Sequence, residues 1–359
     1  MSAQTHNHAR STARVDFGHA VVQIRGRRLS VRFAVRSVVT VVVLAALAGT
    51  LALVALTLGD YPLTLEEVVL ALTGQDAGMA NLVVVEWRAP RALAALAFGA
   101  ALGVSGAIFQ SLTRNPLASP DIIGFATGSF TGALVVIVII GGSYVQVAGG
   151  ALVGGILTAA AVYALSYKRG VQGFRFIIVG IAVSAMLASL NTWLMLRAEL
   201  EVAMSAAVWN AGSLNGITWA QAGAGSVAVV VLMLLAAAQS PGLRQIELGD
   251  DAAKALGVSV EPVRLGLVIT GVALTAAVTA AAGPISFIAL AAPQIARRLA
   301  RTPGVTLAPA AAMGALLLLA ADVLAQHALP SSLPVGVVTV VIGGSYLVWL
   351  LVHEARRQV

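Results

Sequence analysis

Long apolar runs broken by brief polar or glycine-proline punctuation dominate this chain. A helix needs about 20 apolar residues to cross a bilayer core. Runs of roughly that length occupy residues 33–58, 92–112, 124–141, 147–166, 175–196, 221–239, 263–282, 284–299, 305–326 and 335–352. The pattern predicts an all-α, polytopic bundle of about ten membrane helices spanning residues 33–359. Residues 284–299 form a short run that follows Gly283 and Pro284, so a tight hairpin with the preceding helix is predicted and counts of nine or eleven stay open. Two stretches break the pattern. Residues 1–32 are polar, Arg-rich and without a clear period, and are predicted to be a cytoplasmic tail. The other is LGDDAAKALGV, residues 248–258, which predicts a short water-facing helix. Asp250 can cap its start, Asp251 stands three residues before Lys254, and Gly257 lies where a left-handed stop belongs. Such a helix is too short to persist alone in water, so something must hold it.

Composition strengthens the membrane assignment. The chain is 59% hydrophobic and only 10% charged, with a mean hydropathy of +0.92, far from a soluble domain. Zero cysteines removes disulfides, thiolate metal sites and cysteine nucleophiles. The net charge of +7 changes the picture only through its distribution. With the N-terminus inside, Arg88, Arg91 and Arg197 are external and the other 19 of the 22 Lys and Arg are cytoplasmic. That asymmetry predicts both termini on the cytoplasmic side and accounts for the basic balance without nucleic acid. His6, His8 and His19 lie in the tail without carboxylate or cysteine partners, and no metal site is predicted there. The tail segment GRRLSVRF resembles a twin-arginine export signal, but the apolar run after it is longer than a signal h-region and more runs follow.

Catalytic chemistry is missing. There is no HExxH, GxSxG or strand-borne GxGxxG pattern, and a phosphate-binding loop would need Gly-Lys, whereas Lys168 follows Tyr167 and Lys254 follows Ala253. No catalytic residue, cofactor or resident metal is expected. A proton or ion relay would require spaced intramembrane carboxylates. Only Asp121 and Asp322 are candidates, and both read as helix-end residues, Asp121 in the first turn of the third run. The second run carries a GxxxG face at Gly99 and Gly103, which predicts close backbone approach to a neighbour.

The run RAPRALAALAFGAALGVSGAIFQSLTRNPLASPDIIGFATGSFTGAL, residues 88–134, resembles the signature of FecCD-type permeases. These are membrane subunits of binding-protein-dependent ABC importers for iron-siderophores, haem and vitamin B12. LGDDAAKALGV, GPISFIALAAPQIARRL (283–299), AADVLA (320–325) and LPVGVVTVVIGGSYLVWLL (333–351) match further motifs in order, so the resemblance runs from about residue 35 to the end. NPLASPDIIGF is most similar to the ferric-enterobactin, catecholate branch. The resemblance implies a type II importer fold and an iron-siderophore, or alternatively haem or vitamin B12, in transit. It also implies two such permease subunits, identical or related, two ATPase subunits and a substrate-binding protein.

Residue roles follow from the same resemblance. Leu248, Gly249, Asp250, Asp251, Ala252, Ala253, Lys254, Ala255, Leu256 and Gly257 would form the coupling helix seated on an ATPase subunit, so a bulky charged residue at Ala253 is expected to abolish uptake. Arg88 and Arg91 would meet glutamates of the binding protein. A further docking arginine of the family falls at Gln326, and Gln294 stands where a histidine is usual. Gly170 and Gly173 would supply flexibility at an inner gate, or serve only as turn residues. Gln110, Asn115, Thr127 and Asn191 are the polar members of an otherwise apolar pathway. Two other classes compete: an ion-coupled secondary carrier or channel, and a structural membrane-assembly subunit.

Overall fold

The computed structural model describes residues 21–25, 30–75, 78–121, 123–167, 173–304, 306–328 and 332–355. His6, His8, His19 and Gly170 lie outside them. The chain enters through an antiparallel hairpin, β1 (Val21–Arg25) against β2 (Ser30–Ala34), with Val21 opposite Ala34 and Arg25 opposite Ser30. Val21, Val22, Ile24 and Val31 favour extended backbone, and the hairpin is an addition to the helical body that no sequence period had indicated.

The other elements among the described residues are helices. They are α1 (Val35–Thr57), α2 (Leu65–Leu72), α3 (Met79–Asn81), α4 (Ala89–Thr113), α5 (Phe125–Leu134), α6 (Tyr144–Ser166), α7 (Gly173–Arg197), α8 (Leu200–Asn210), α9 (Trp219–Glu247), α10 (Asp250–Ala255), α11 (Val260–Ala282), α12 (Ile288–Ala300), α13 (Leu307–His327) and α14 (Val335–Ala355). π-Helical turns at Leu82–Arg88 and Val135–Ile140 prolong α4 backwards and α5 forwards. Every apolar run read from the sequence holds a helix. Among the described residues, seven helical stretches are long and apolar enough to cross a membrane, and two shorter apolar ones cover Phe125–Ile140 and Val335–Trp349. The run at 284–299 differs most. Gly283 and Phe287 both take positive φ, of 71° and 69°, so helix begins only at Ile288.

The core centres on α4, which is buried along almost its whole length between α9, α11, α12 and α13. Small residues permit this. A Cβ on Gly99 or Gly103 would strike the backbone of Gly314 or Ala310 in α13, and one on Gly106 would strike the Ala289 carbonyl of α12. The GxxxG face therefore has its partner in α13. Outside this core, α2 opens with a capping box. The Thr64 N–H (2.7 Å) and hydroxyl (2.8 Å) donate to the Glu67 carboxylate, which holds that carboxyl below its usual range.

Candidate functional site

The short polar helix predicted at 248–258 is α10. Gly249, with φ of 110°, occupies its N-cap position, and Asp250 is the first helical residue. The predicted aspartate cap is therefore not formed, because the Asp250 carboxylate turns away to accept both Nη2 bonds of Arg264, at 2.7 and 2.8 Å. Arg114 approaches the same carboxylate to 3.6 Å. The predicted stop holds: Gly257 has φ of 85°, its N–H donates to the Lys254 carbonyl (2.9 Å), and the Val258 N–H donates to Ala253 (3.0 Å). Ala253 is fully buried against the body of the bundle. Asp251, Ala252, Lys254, Ala255 and Leu256 face outward, and Leu248 and Leu256 are 67% and 59% exposed.

Beside α10 lies a cavity of about 390 Å³ between α4, α9 and α12. Gln110, Asn115, Arg114, Arg244, Glu247, Gln294 and Arg297 line it. Gln294 donates its amide to the Gln110 carbonyl oxygen (2.6 Å), and Gln110 donates onward to the Leu290 backbone carbonyl (3.0 Å). The glutamine at 294 is thus half of a buried amide pair joining α12 to α4. Asn115 turns its side chain to the Leu117 N–H at 2.9 Å, shaping the turn after α4 rather than the cavity alone. On a different flank, Thr127 and Asn191 share a second cavity of about 560 Å³ with Asn210 and Ser286. The Asn191 amide reaches the Thr127 carbonyl at 3.4 Å. The four pathway candidates therefore divide into two pairs, Gln110 with Asn115 and Thr127 with Asn191. Gly173 opens α7.

At the opposite end of α4, Arg88 and Arg91 line a cavity of about 510 Å³ together with Asp60, Trp87, Asp322, Gln326 and His327. Neither arginine is idle. Arg88 donates to the carbonyls of Leu56 (2.8 Å) and Tyr61 (2.7 Å). Arg91 makes a bidentate pair with Asp322 through Nε and Nη2, both at 2.7 Å, and the Asp322 side chain is 5% exposed. Asp322 does lie near the end of α13, five residues before His327, but its role goes beyond position: it clamps that helix to α4. Gln326 donates to the Asn215 side-chain carbonyl at 2.9 Å. Asp121 also departs from expectation. It precedes α5 by a turn, and its carboxylate accepts from the Phe287 N–H at the start of α12. A carboxyl does meet a helix N-terminus there, but of another helix. Among the described residues, no group of three or more His, Asp or Glu side chains converges.

Of the residues divided by the charge rule, Arg114, Arg244 and Arg297 share a cavity at one end of the bundle, and Arg88 and Arg91 share one at the other. The profile of the FecCD transport family matches residues 38–353. The chain belongs to the FecCD transport family. Among curated members of that family, the ferric enterobactin transport system permease protein FepG of Escherichia coli is 52% identical over 301 residues, 84% of this chain and 91% of that protein. The iron(3+)-hydroxamate import system permease protein FhuG of Bacillus subtilis is 38% identical across 77% of this chain and 86% of its own length. A solved metal-chelate type ABC transporter in an inward-facing conformation has the same fold, with a TM-score of 0.77 at 27% identity, covering 88% of this chain and 98% of that one. As a FecCD member with multiple apolar helices, the chain is a multi-pass transport protein of the cytoplasmic membrane.

Proposed function

We propose that this chain is the permease subunit of an ATP-driven importer that moves a ferric siderophore of the catecholate class by alternating access. The 52% identity to the ferric enterobactin permease, along most of both chains, carries this reading. In it, ten helices cross the membrane with both termini cytoplasmic, two permease chains enclose the pathway, and two separate ATPase subunits hydrolyse ATP. α10 is the coupling helix. Its outward face, flanked by exposed Leu248 and Leu256, offers apolar anchors that a purely solvated loop would not need.

The external cavity lined by Arg88 and Arg91 is the docking surface for a substrate-binding protein, with Gln326 as the uncharged member of its rim. A docking carboxylate would compete with Asp322 for Arg91. The amide-lined walls at Gln110 with Gln294 and at Thr127 with Asn191 suit passage of a bulky ligand held weakly, since selectivity can reside in the binding protein. ATP and the binding protein drive the cycle only through unequal affinity for its inward and outward states. The ion-coupled alternative loses one of its two candidate carboxylates, because Asp322 is committed to Arg91.

Substrate class is tested by uptake of radiolabelled iron into cells that carry this permease with its partner subunits in place of their own. Ferric enterobactin is expected to be taken up and a ferric hydroxamate is not. Uptake of the hydroxamate alone would overturn the catecholate assignment.

A further inference from the structure

α10 is joined to the bundle by two short links, Leu248–Gly249 on one side and Leu256–Ser259 on the other. Each contains a glycine at positive φ, Gly249 at 110° and Gly257 at 85°. With backbone freedom at both ends and only six residues between, the helix would pivot if the chain alone held it. Three contacts oppose that pivot. Ala253 seats one face in the body of the bundle. Arg114, at the left-handed end of α4, reaches Asp250 at 3.6 Å, an exposed and weak pair. Arg264 is different. Its side chain is only 4% exposed, it grips both Asp250 oxygens, and it also donates to Glu261 at 2.7 Å. A guanidinium held by two carboxylates fixes orientation as well as distance.

Arg264 stands near the start of α11, and α11 is in turn fixed to α4 by a buried bond set. Ser105 donates to the Gly271 carbonyl at 2.7 Å and lies 2.9 Å from the Thr275 hydroxyl. We infer that the Asp250–Arg264 fork locks the α10 pivot, so that displacement of α10 by a cytoplasmic partner moves α11 and, through Ser105, α4. Arg264 is thus a positioning residue for energy transfer, a role that rests on the reading of α10 as the coupling helix. Without the fork, a partner could tilt α10 about its two glycines and leave the membrane helices where they were.

The test uses the complete transporter in lipid nanodiscs for cross-linking and in proteoliposomes for transport. The chain has no cysteine, so Asp251→Cys, on the outward face, provides a single cross-linking site towards the ATPase subunit. In the Arg264→Gln variant that cross-link is expected to persist while substrate moved per ATP hydrolysed falls about tenfold. Arg264→Lys, which keeps the charge but not the fork, should be intermediate. Because the two residues act through each other, Asp250→Asn combined with Arg264→Gln should be no worse than Arg264→Gln alone. If Arg264→Gln does not insert, Asp250→Asn and Arg264→Lys carry the same comparison. Parental stoichiometry in these variants, or losses that simply add, would overturn the lock. Absence of the cross-link in the Asp251→Cys chain with Asp250 and Arg264 intact would overturn the coupling-helix reading itself, and the lock with it.

Discussion

Replacing Leu256 by Asp is expected to abolish substrate uptake while leaving the chain inserted and folded. Leu256 is 59% exposed just after α10 and lies outside the buried core cluster. Burial of such a leucine against a partner is worth about 1.5–3 kcal/mol. Loss of that contact, with a carboxylate to desolvate in its place, should weaken ATPase association by about a hundredfold or more. The check is co-purification of the ATPase subunit together with transport, at matched amounts of permease of unchanged thermal stability. Normal transport by the well-folded variant would remove Leu256 from the interface. The same reasoning changes the meaning of Ala253. That residue is fully buried inside this one chain, so a bulky charge there would lift α10 off the bundle, and lost uptake would report on the seating of the helix rather than on its outward face.

The second large effect concerns Arg91. Removing one partner of a buried, hydrogen-bonded ion pair typically costs about 3–5 kcal/mol, because the other charge is stranded. Arg91→Ala should therefore lower the unfolding temperature of the detergent-solubilised chain clearly, and Arg91→Ala with Asp322→Ala should recover much of the loss. Arg91→Glu would set two carboxylates against each other between α4 and α13, so its transport defect cannot by itself be credited to docking. Arg88 is the cleaner probe, since its partners are backbone carbonyls. A single Arg91→Ala variant as stable as the parent would contradict the clamp.

Much of the helical architecture was legible because lipid demands a simple code. Backbone groups must be paired within each helix and side chains must be apolar over about 20 residues, and each apolar run did hold a helix. The GxxxG at Gly99 and Gly103 likewise announced close approach, although only the structure names α13 as the neighbour. What stayed hidden depended on distant pairing. Nothing local in the chain says that Arg91 meets Asp322, or that Gln294 meets Gln110, since those partners are 231 and 184 residues apart. Asp250 misled for a related reason: its local pattern fits a cap, but a buried guanidinium in the next helix outcompetes the backbone N–H groups for its oxygens. Helix α2 could have been read from Thr64 and Glu67, whose spacing is that of a capping box, and the π-helical turns had no signal at all.

The source of energy is the most direct test of the proposed function. The permease is reconstituted with its ATPase subunits in proteoliposomes, the loaded binding protein is added on the face bearing Arg88 and Arg91, and accumulation of radiolabelled iron is followed. Accumulation is expected to require ATP on the side of α10, to stop with vanadate, and to be indifferent to ionophores that collapse proton and sodium gradients. Accumulation that continues without ATP and disappears with the ionophores would contradict the account.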